Sequence, residues 1–341
     1  MNKKLLVLAI AAAATATSAS AANVYKDGTT TLDVGGRAEF RGDFIGTDSG
    51  DEIDGTMHNA SRFRLNVGGE TQITDGLTGF GFYEAEQGVK SSGDNDASSD
   101  FTQRYMFAGL GTKFGDVSFG RQDTATVMIS QMSDISTYSG GQKGFITAGD
   151  EQINNAILYT GNFLNDALVV KADVVLGDSD NTDGYGVAAK YTLPMGLGFA
   201  LGYAANEGDS SNATSAGDDE YQIIGGVNYT NEHLYLGATY TGGETASIDR
   251  LMIGNDAVDF QGVEATGQYK FDNQFRVIAT YSYQEVDDED YQNWAELTGG
   301  YDFTNNLYAY MSYRFNLLDE DSAFAGVDEE DSVRLGLLYQ F

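Results

Sequence analysis

The stretch 62-RFRLNVGGETQI-73 alternates apolar and polar side chains. Phe63, Leu65 and Val67 occupy every second position, and Arg62, Arg64 and Asn66 alternate with them. Because a β-strand points successive side chains to opposite faces, this pattern predicts a strand with one apolar and one polar face. The same alternation recurs at residues 32–41, 185–191, 234–240, 275–281, 307–315 and 333–341. The chain is therefore predicted to be all-β.

Composition excludes several classes of protein. The chain has 341 residues, no cysteine, one proline and 43 glycines, and its mean hydropathy is -0.30. This is too polar for a bundle of membrane helices, and the absence of cysteine excludes disulfides and thiolate metal sites. With 51 acidic and 19 basic residues the formal charge is -32. Such an acidic chain is not expected to bind nucleic acid, whose phosphates attract Lys and Arg.

The first 21 residues have the pattern of an export signal. A basic start, Met1–Lys4, precedes an apolar run from Leu5 to Ala14, and Ala19-Ser20-Ala21 resembles a signal-peptidase site. We therefore predict a signal peptide at residues 1–21 and a mature domain at residues 22–341. No later apolar stretch approaches the roughly 20 residues that a transmembrane helix requires.

Connections of two sizes alternate along the mature chain. Seven tight turns, such as Thr74-Asp75-Gly76 and Asp272-Asn273, alternate with eight longer stretches that are mostly acidic and rich in Gly, Ser and Asn. Fifteen connections imply sixteen strands. An even number of antiparallel strands, with short turns at one end and long loops at the other, is typical of an outer-membrane β-barrel with short periplasmic turns and long external loops. Sixteen strands enclose a lumen too wide for side chains to fill, so it should hold water.

Four segments carry a resemblance to a known family. They are 23-NVYKDGTTTLDVGGRAEF-40, 64-RLNVGGETQITDGLTGFGFYE-84, 104-RYMFAGLGTKFGDVSFGR-121 and the final Tyr-Gln-Phe. The chain resembles the trimeric general-diffusion porins of Gram-negative outer membranes, in particular the vibrio-type OmpU and OmpH branch. The resemblance implies a sixteen-stranded homotrimer that lets small hydrophilic solutes and cations pass and that contacts outer-membrane lipid and lipopolysaccharide.

The resemblance also implies a pore constriction. In this family the third long loop folds into the lumen and places an acidic edge opposite a ladder of wall arginines. The matching loop here covers residues 124–150 approximately. Arg37, Arg64 and Arg104 match wall positions of the ladder, and Asp134 matches the loop aspartate.

Two positions depart from the family pattern. Gln152 stands where many members carry another arginine, and Tyr138 stands where many carry a loop glutamate. A weaker transverse field is therefore expected. The resemblance further implies that Phe341 is read as an assembly signal by the outer-membrane machinery.

Several of these residues also have simpler interpretations. A wall arginine can be a solvated lumen residue in an ion pair, and Asp134 can be a turn former. Arg121 shares the parity of an apolar face, which places it at a bulge or beyond the lipid band. Trp294 is expected in an aromatic girdle at the membrane interface.

Enzymatic chemistry finds little support. His58 and His233 are the two histidines, and neither has the neighbours of a metal site or of a Ser-His-Asp triad. The acidic runs 287-DDEDY-291 and 328-DEEDS-332 lack the glycine and glutamate of an EF-hand loop and are interpreted as solvated loop tips. No catalytic residue, resident metal or cofactor is expected.

The predicted function is a passive, weakly cation-selective channel in the outer membrane. Two alternatives remain at this point. A substrate-specific sugar-type channel would need a continuous aromatic track, whereas Tyr235, Tyr308 and Tyr310 are scattered. An adhesive or structural barrel would act through its acidic loops.

Overall fold

The computed structural model of the chain describes residues 21–45, 57–89, 101–177, 183–207, 219–248, 251–252, 257–318 and 330–341. Most of the long acidic loops lie outside these residues. The predicted signal peptide, residues 1–21, also lies outside them except for Ala21, and it stays a prediction. No helix within the described residues is long and apolar enough to cross a membrane.

Sixteen long antiparallel strands form the sheet, as the alternation predicted. They are β1 (Thr30–Ile45), β2 (Arg62–Thr74), β3 (Leu77–Gly88), β4 (Thr102–Thr112), β5 (Gly115–Gln122), β6 (Ile153–Phe163), β7 (Leu168–Val175), β8 (Gly184–Thr192), β9 (Leu197–Asn206), β10 (Glu220–Thr230), β11 (Leu234–Thr245), β12 (Val258–Lys270), β13 (Phe275–Val286), β14 (Glu289–Asp302), β15 (Leu307–Asn316) and β16 (Ser332–Gln340). Each pairs with the next along the chain, and β16 pairs with β1, so the sheet closes into a barrel.

One edge of β1 is occupied from end to end by two separate parts of the chain. A short N-terminal strand, Ala22–Lys26, pairs with residues 31–34. β16 pairs with residues 37–45. Between them Phe341 exchanges both backbone hydrogen bonds with Gly36, at 3.0 and 2.9 Å. No stretch of open sheet edge is therefore left where the barrel closes.

The connections between strands confirm the alternation of sizes, with one correction. All seven predicted tight turns join consecutive strands through two to four residues. The correction concerns the connection between β13 and β14, which the count of eight longer stretches included; its residues are exposed, as expected of a solvated loop tip, but it is short. Asp287 and Asp288 alone connect β13 to β14, and both have left-handed backbone angles, φ 53° and 62°. This is the geometry of a two-residue hairpin, and aspartate is one of the few residues that tolerate it.

The two faces of the barrel wall have opposite character. Outward side chains such as Phe199, Leu201 and Met311 are 49%, 66% and 59% exposed, because they face the lipid rather than a protein core. Exposed aromatic residues gather near the turn end in contacting pairs, for example Tyr301 and Phe303 with ring centroids 5.1 Å apart. The inward face carries Thr, Ser, Gln, Glu and Arg side chains.

Two residues of uncertain orientation are now placed. The expectation for Trp294 was wrong, since its ring is 5% exposed and meets the ring of Tyr138, a residue of the third loop, edge-on at 6.5 Å. It faces the lumen because it shares the parity of Glu296 and Thr298 on β14. Arg121 lies at a bulge where the β5–β6 register shifts between Gly120 and Gln122.

The contact between Phe341 and Gly36 generates a prediction about assembly. A Cβ at position 36 would come within 2.8 Å of the Phe341 ring and 2.3 Å of the Arg64 carbonyl oxygen. Gly36→Ala should therefore displace Phe341, at an overpacking cost of about 1–3 kcal/mol. Less heat-modifiable folded barrel should be recovered from membranes.

The matched control is Gly28→Ala, because a Cβ at position 28 meets nothing within 4 Å. Phe341→Ala should behave like Gly36→Ala, since it removes ring contacts with Phe63 and Tyr339 at 6.1 and 6.2 Å. Equal folded yields for the Gly36 and Gly28 variants would show that the contact between Phe341 and Gly36 does not limit assembly of the barrel.

The two ends of the barrel generate a prediction about orientation. The chain has no cysteine, so a single cysteine in an exposed turn can be labelled uniquely. Asp288→Cys lies at the loop end and Asn273→Cys at the turn end. A reagent too large for the pore should label position 288 in intact cells and position 273 only after cell breakage. The reverse pattern would invert the orientation.

Candidate functional site: the pore constriction

The third loop, residues 123–152, connects β5 to β6 and folds back inside the barrel. It contains a single-turn helix, α1 (Val127–Ser130), and a 3-10 turn, Thr147–Gly149. Hydrogen bonds from loop residues 133–142 reach inward side chains of strands β10 to β16. The loop therefore leans on that half of the inner wall.

Two small apolar clusters attach the loop to the wall. Ile129 and Met132 pack with Ala188 and Ile224 on the strands behind them. Phe145 stacks on Phe260 with ring centroids 4.1 Å apart and an interplanar angle of 9°. Burying apolar side chains in an otherwise polar lumen removes them from water, which stabilises the folded-in position of the loop.

Two wall carboxylates anchor the tip of the loop. Glu296 on β14 accepts hydrogen bonds from the backbone N–H of Thr137 and Tyr138, at 3.3 and 3.2 Å. Glu264 on β12 accepts from the backbone N–H of Gly140 at 3.1 Å. A carboxylate has several lone pairs, so one side chain can hold a whole turn of irregular backbone. Both glutamates are buried.

A stacked arrangement of charged and aromatic groups holds the farthest point of the loop. The Arg334 guanidinium carbon lies 3.7 Å from the Tyr138 ring centroid, and that of Arg314 lies 5.0 Å away. Arg334 also donates to the Thr137 carbonyl oxygen and makes a bidentate pair with Asp43, at 2.7 and 3.0 Å. The family pattern expects a glutamate at position 138, and this chain holds the same point through cation–π contacts instead.

The root of the loop is closed by Asp123. Its carboxylate accepts hydrogen bonds from the Tyr105 hydroxyl at 2.9 Å, the Gln152 backbone N–H at 3.2 Å and the Gln131 side chain at 3.4 Å. Burial, followed by the nearby charge of Glu151, raises the pKa of Asp123 above its usual range. Both ends of the loop are thus fixed to each other and to β4.

The three arginines predicted for the wall lie together on β1, β2 and β4. Their partners are two glutamates of β3 that sequence reasoning missed. Arg64 donates from Nε and Nη2 to Glu86 at 2.9 and 2.5 Å, and Arg104 donates to Glu84 at 3.0 Å. Arg37 lies 3.9 Å from Glu86. The alternation in 83-YEAEQ-87 places both glutamates on the inward face, so strand parity was the available signal.

Three more wall arginines extend this basic strip. Arg62 pairs with Glu39 at 2.6 Å, Arg41 lies 3.7 Å from Asp43, and Arg334 reaches the same aspartate. Within the described residues the strip contains six arginines and four carboxylates: Arg37, Arg41, Arg62, Arg64, Arg104 and Arg334 with Glu39, Asp43, Glu84 and Glu86. It keeps an excess of positive charge.

Asp134 occupies the loop, as predicted, but its partners lie within the loop. Its carboxylate accepts hydrogen bonds from Ser139 at 3.0 Å and from the Lys143 ammonium at 2.9 Å. Among the ion pairs of the described residues, none joins Asp134 to an arginine of the strip. The pore roles of Arg37, Arg64, Arg104 and Asp134 stay predictions.

The stacking around Tyr138 generates a testable prediction. Tyr138→Ala removes the ring between the two arginines and the 2.9 Å bond between the Tyr138 and Ser332 hydroxyls. The loss should loosen the loop tip by roughly 2 kcal/mol, the value of a desolvated cation–π contact. Single-channel recordings should show more current noise and closure at lower voltage. Tyr138→Phe keeps the ring and should resemble the unmodified protein. Equal noise in the alanine variant would mean that Glu296 and Glu264 hold the tip alone.

Comparison with known proteins agrees with this geometry. Porin-like protein L of Photobacterium profundum is 36% identical over 353 residues, and outer membrane protein U of Vibrio vulnificus is 36% identical over 364 residues; both alignments cover all of both chains. Outer membrane porin N of Escherichia coli is 28% identical over its whole length.

Solved structures show the same fold. Salmonella typhi OmpF, solved with daunomycin, superposes with a TM-score of 0.79 at 24% identity and covers 94% of this chain and 100% of its own. The trimer form of Vibrio cholerae OmpT gives 0.67 at 20% identity and covers 92% of this chain and 100% of its own.

The family model for Gram-negative porins matches residues 8–321. Porins are channels and not enzymes, and the named relatives are outer membrane proteins. The chain, a closed sixteen-stranded barrel with its third loop inside the lumen, belongs to the Gram-negative porin family of the outer membrane.

Proposed function

We propose that this porin is a passive, weakly cation-selective diffusion channel for small hydrophilic solutes. The single observation that carries the proposal is the opposite charge of two groups that line the lumen, the basic strip and the third loop. The basic strip lies on β1, β2, β4 and β16, and the loop leans on β10 to β16, so the two meet at β16, where Arg334 stacks on Tyr138. Loop residues 123–152 and the two wall glutamates that bind the loop tip contain six carboxylates and one lysine: Asp123, Asp134, Asp150, Glu151, Glu264, Glu296 and Lys143.

This distribution favours cations modestly. Carboxylates near a narrow passage raise the local concentration of cations and repel anions. The basic strip opposes that effect, since its arginines outnumber their carboxylate partners. The acidic surplus of the loop and its anchoring glutamates exceeds the basic surplus of the strip. The lumen therefore carries a net negative charge and prefers cations weakly.

The aromatic residues of the lumen support general diffusion rather than a sugar-specific site. Tyr308 stacks on Tyr310 at 5.5 Å, and the Arg276 guanidinium covers Tyr308 at 4.1 Å. The hydroxyl of Tyr235 donates to the Met132 carbonyl oxygen. These rings are already engaged by protein groups, which leaves no continuous free stacking track among the described residues.

The trimer and its lipid partners belong to the same proposal. Outer membrane OmpT of Vibrio cholerae is described in a trimer form. Gly69 of β2 pairs with Gly81 of β3, and Gly79 follows two residues away on the same outward face, so three positions without side chains lie side by side. Such a smooth surface lets a second barrel approach closely, while the remaining apolar wall faces lipid and lipopolysaccharide. The adhesive alternative rests on long loops outside the described residues.

The predicted site residues take defined parts in this proposal. Arg37, Arg64 and Arg104 form the positive side of the constriction, and Asp134 contributes to the negative side. Phe341 acts as the assembly signal, and its joint with Gly36 gives that signal a structural counterpart.

The test is the reversal potential of purified protein in a planar bilayer under a KCl gradient. The unmodified channel should show weak cation preference and a flux of neutral solutes that does not saturate. Arg64→Ala removes a large cation that contacts Glu84 and Glu86. It should raise both conductance and cation preference, whereas Arg64→Lys, the charge-conserving control, should change the preference little. Anion preference or saturating solute flux in the unmodified protein would overturn the proposal.

A further inference from the structure

Lys143 is the one basic residue of the third loop. Residues 123–152 include four acidic residues, Asp123, Asp134, Asp150 and Glu151, and this single lysine. Its position is therefore decisive for the charge that the loop presents to the lumen.

The Lys143 ammonium bridges the two limbs of the loop. Its Nζ lies 2.9 Å from Asp134 Oδ2 near the tip and 3.1 Å from Glu151 Oε2 at the root. The three side chains are 15%, 25% and 26% exposed, so the group is partly shielded and still in reach of the lumen. Because water surrounds these charges only in part, the attraction between them is screened less than in a pair on the open surface.

The backbone is shaped to hold Asp134 against Lys143. Gly140 has φ +107°, and a Cβ there would come within 2.8 Å of the Asp134 carboxylate. Ser139 donates to the second carboxylate oxygen at 3.0 Å. Both oxygens of Asp134 are thus directed into the loop.

Lys143 remains charged in this position. Burial disfavours its ammonium form, but the carboxylates of Asp134 and Glu151 outweigh burial and raise the pKa of Lys143 above its usual value. It also lies beside Glu151, next to Gln152, the position at which the family pattern places an arginine that this chain lacks. Lys143, from another part of the loop, therefore supplies a positive charge near that position.

We propose that Lys143 is a selectivity-determining residue, the internal counter-ion that neutralises Asp134 and Glu151 and so limits the cation preference of the pore. This inference rests on the proposed diffusion-channel function. It differs from a purely mechanical link between the limbs, because a link acts on pore size and a counter-ion acts on the ratio of permeabilities.

The experiment measures reversal potentials in KCl gradients for three variants. Lys143→Gln should raise the cation-to-anion permeability ratio roughly two-fold or more near 0.1 M, where the Debye length is about 10 Å. Lys143→Arg, the matched control, should stay close to the unmodified protein. The double variant Lys143→Gln with Asp134→Asn removes one charge of each sign and should return the ratio towards the unmodified value.

Conductance at 1 M KCl separates charge from geometry. Screening is strong there, with a Debye length of about 3 Å, so a charge effect should fade while a change of pore size persists. An unchanged permeability ratio in Lys143→Gln would overturn the inference, and so would failure of the double variant to restore that ratio. An effect of Lys143→Gln that is as large at 1 M KCl as near 0.1 M would also overturn it. Anion preference in the unmodified protein would instead overturn the proposed function, and a shift towards cations in Lys143→Gln would still stand.

Discussion

The need to pair every backbone N–H and C=O group inside lipid governs this structure. A hydrocarbon layer offers no hydrogen bonds, so a sheet that crosses it must close and leave no open edge. Here closure depends on one joint, where Phe341 and the N-terminal strand complete the edge of β1 that β16 leaves free. Gly36 has no side chain at the point where the Phe341 ring and the Arg64 carbonyl converge. The alternating wall, the lumen and the loop within it all require this closed ring of strands.

A wide closed barrel creates a second problem, because its interior is polar and open. The third loop narrows it, and three kinds of interaction hold the loop in place. Apolar packing of Phe145 on Phe260 removes both rings from water. The buried carboxylates Glu264 and Glu296 accept hydrogen bonds from loop N–H groups that would otherwise need water as a partner. Stacking of Arg334 on Tyr138 secures the tip. The loop is therefore a packed element of the barrel.

The charges of the pore depend on pairing as much as on number. Arg64 and Arg104 are each matched by a β3 glutamate, and Asp134 is matched by Lys143. A paired charge contributes less to the field in the passage than the same charge alone, since its partner cancels much of it at a distance. The transverse field is therefore weaker than the wall arginines and the loop aspartate alone would produce. The partners Glu84, Glu86 and Lys143 belong to the same electrostatic unit.

The sequence by itself determined the all-β class, the sixteen strands and the polar faces that carry Arg37 and Arg64, whereas the inward-folded third loop and the place of Arg104 were implied by the resemblance to the porins. Period-two alternation and turn residues are local properties, and they can be recognised without knowing what packs against what. Tertiary structure alone decided the two-residue turn at Asp287–Asp288, the inward position of Trp294 beside Tyr138, and the ion pairs of Asp134 and Arg64. Those features depend on which strands are neighbours and where a folded-in loop comes to rest. Contacts between residues far apart in the chain are fixed by the closure of the barrel, and no local pattern records them.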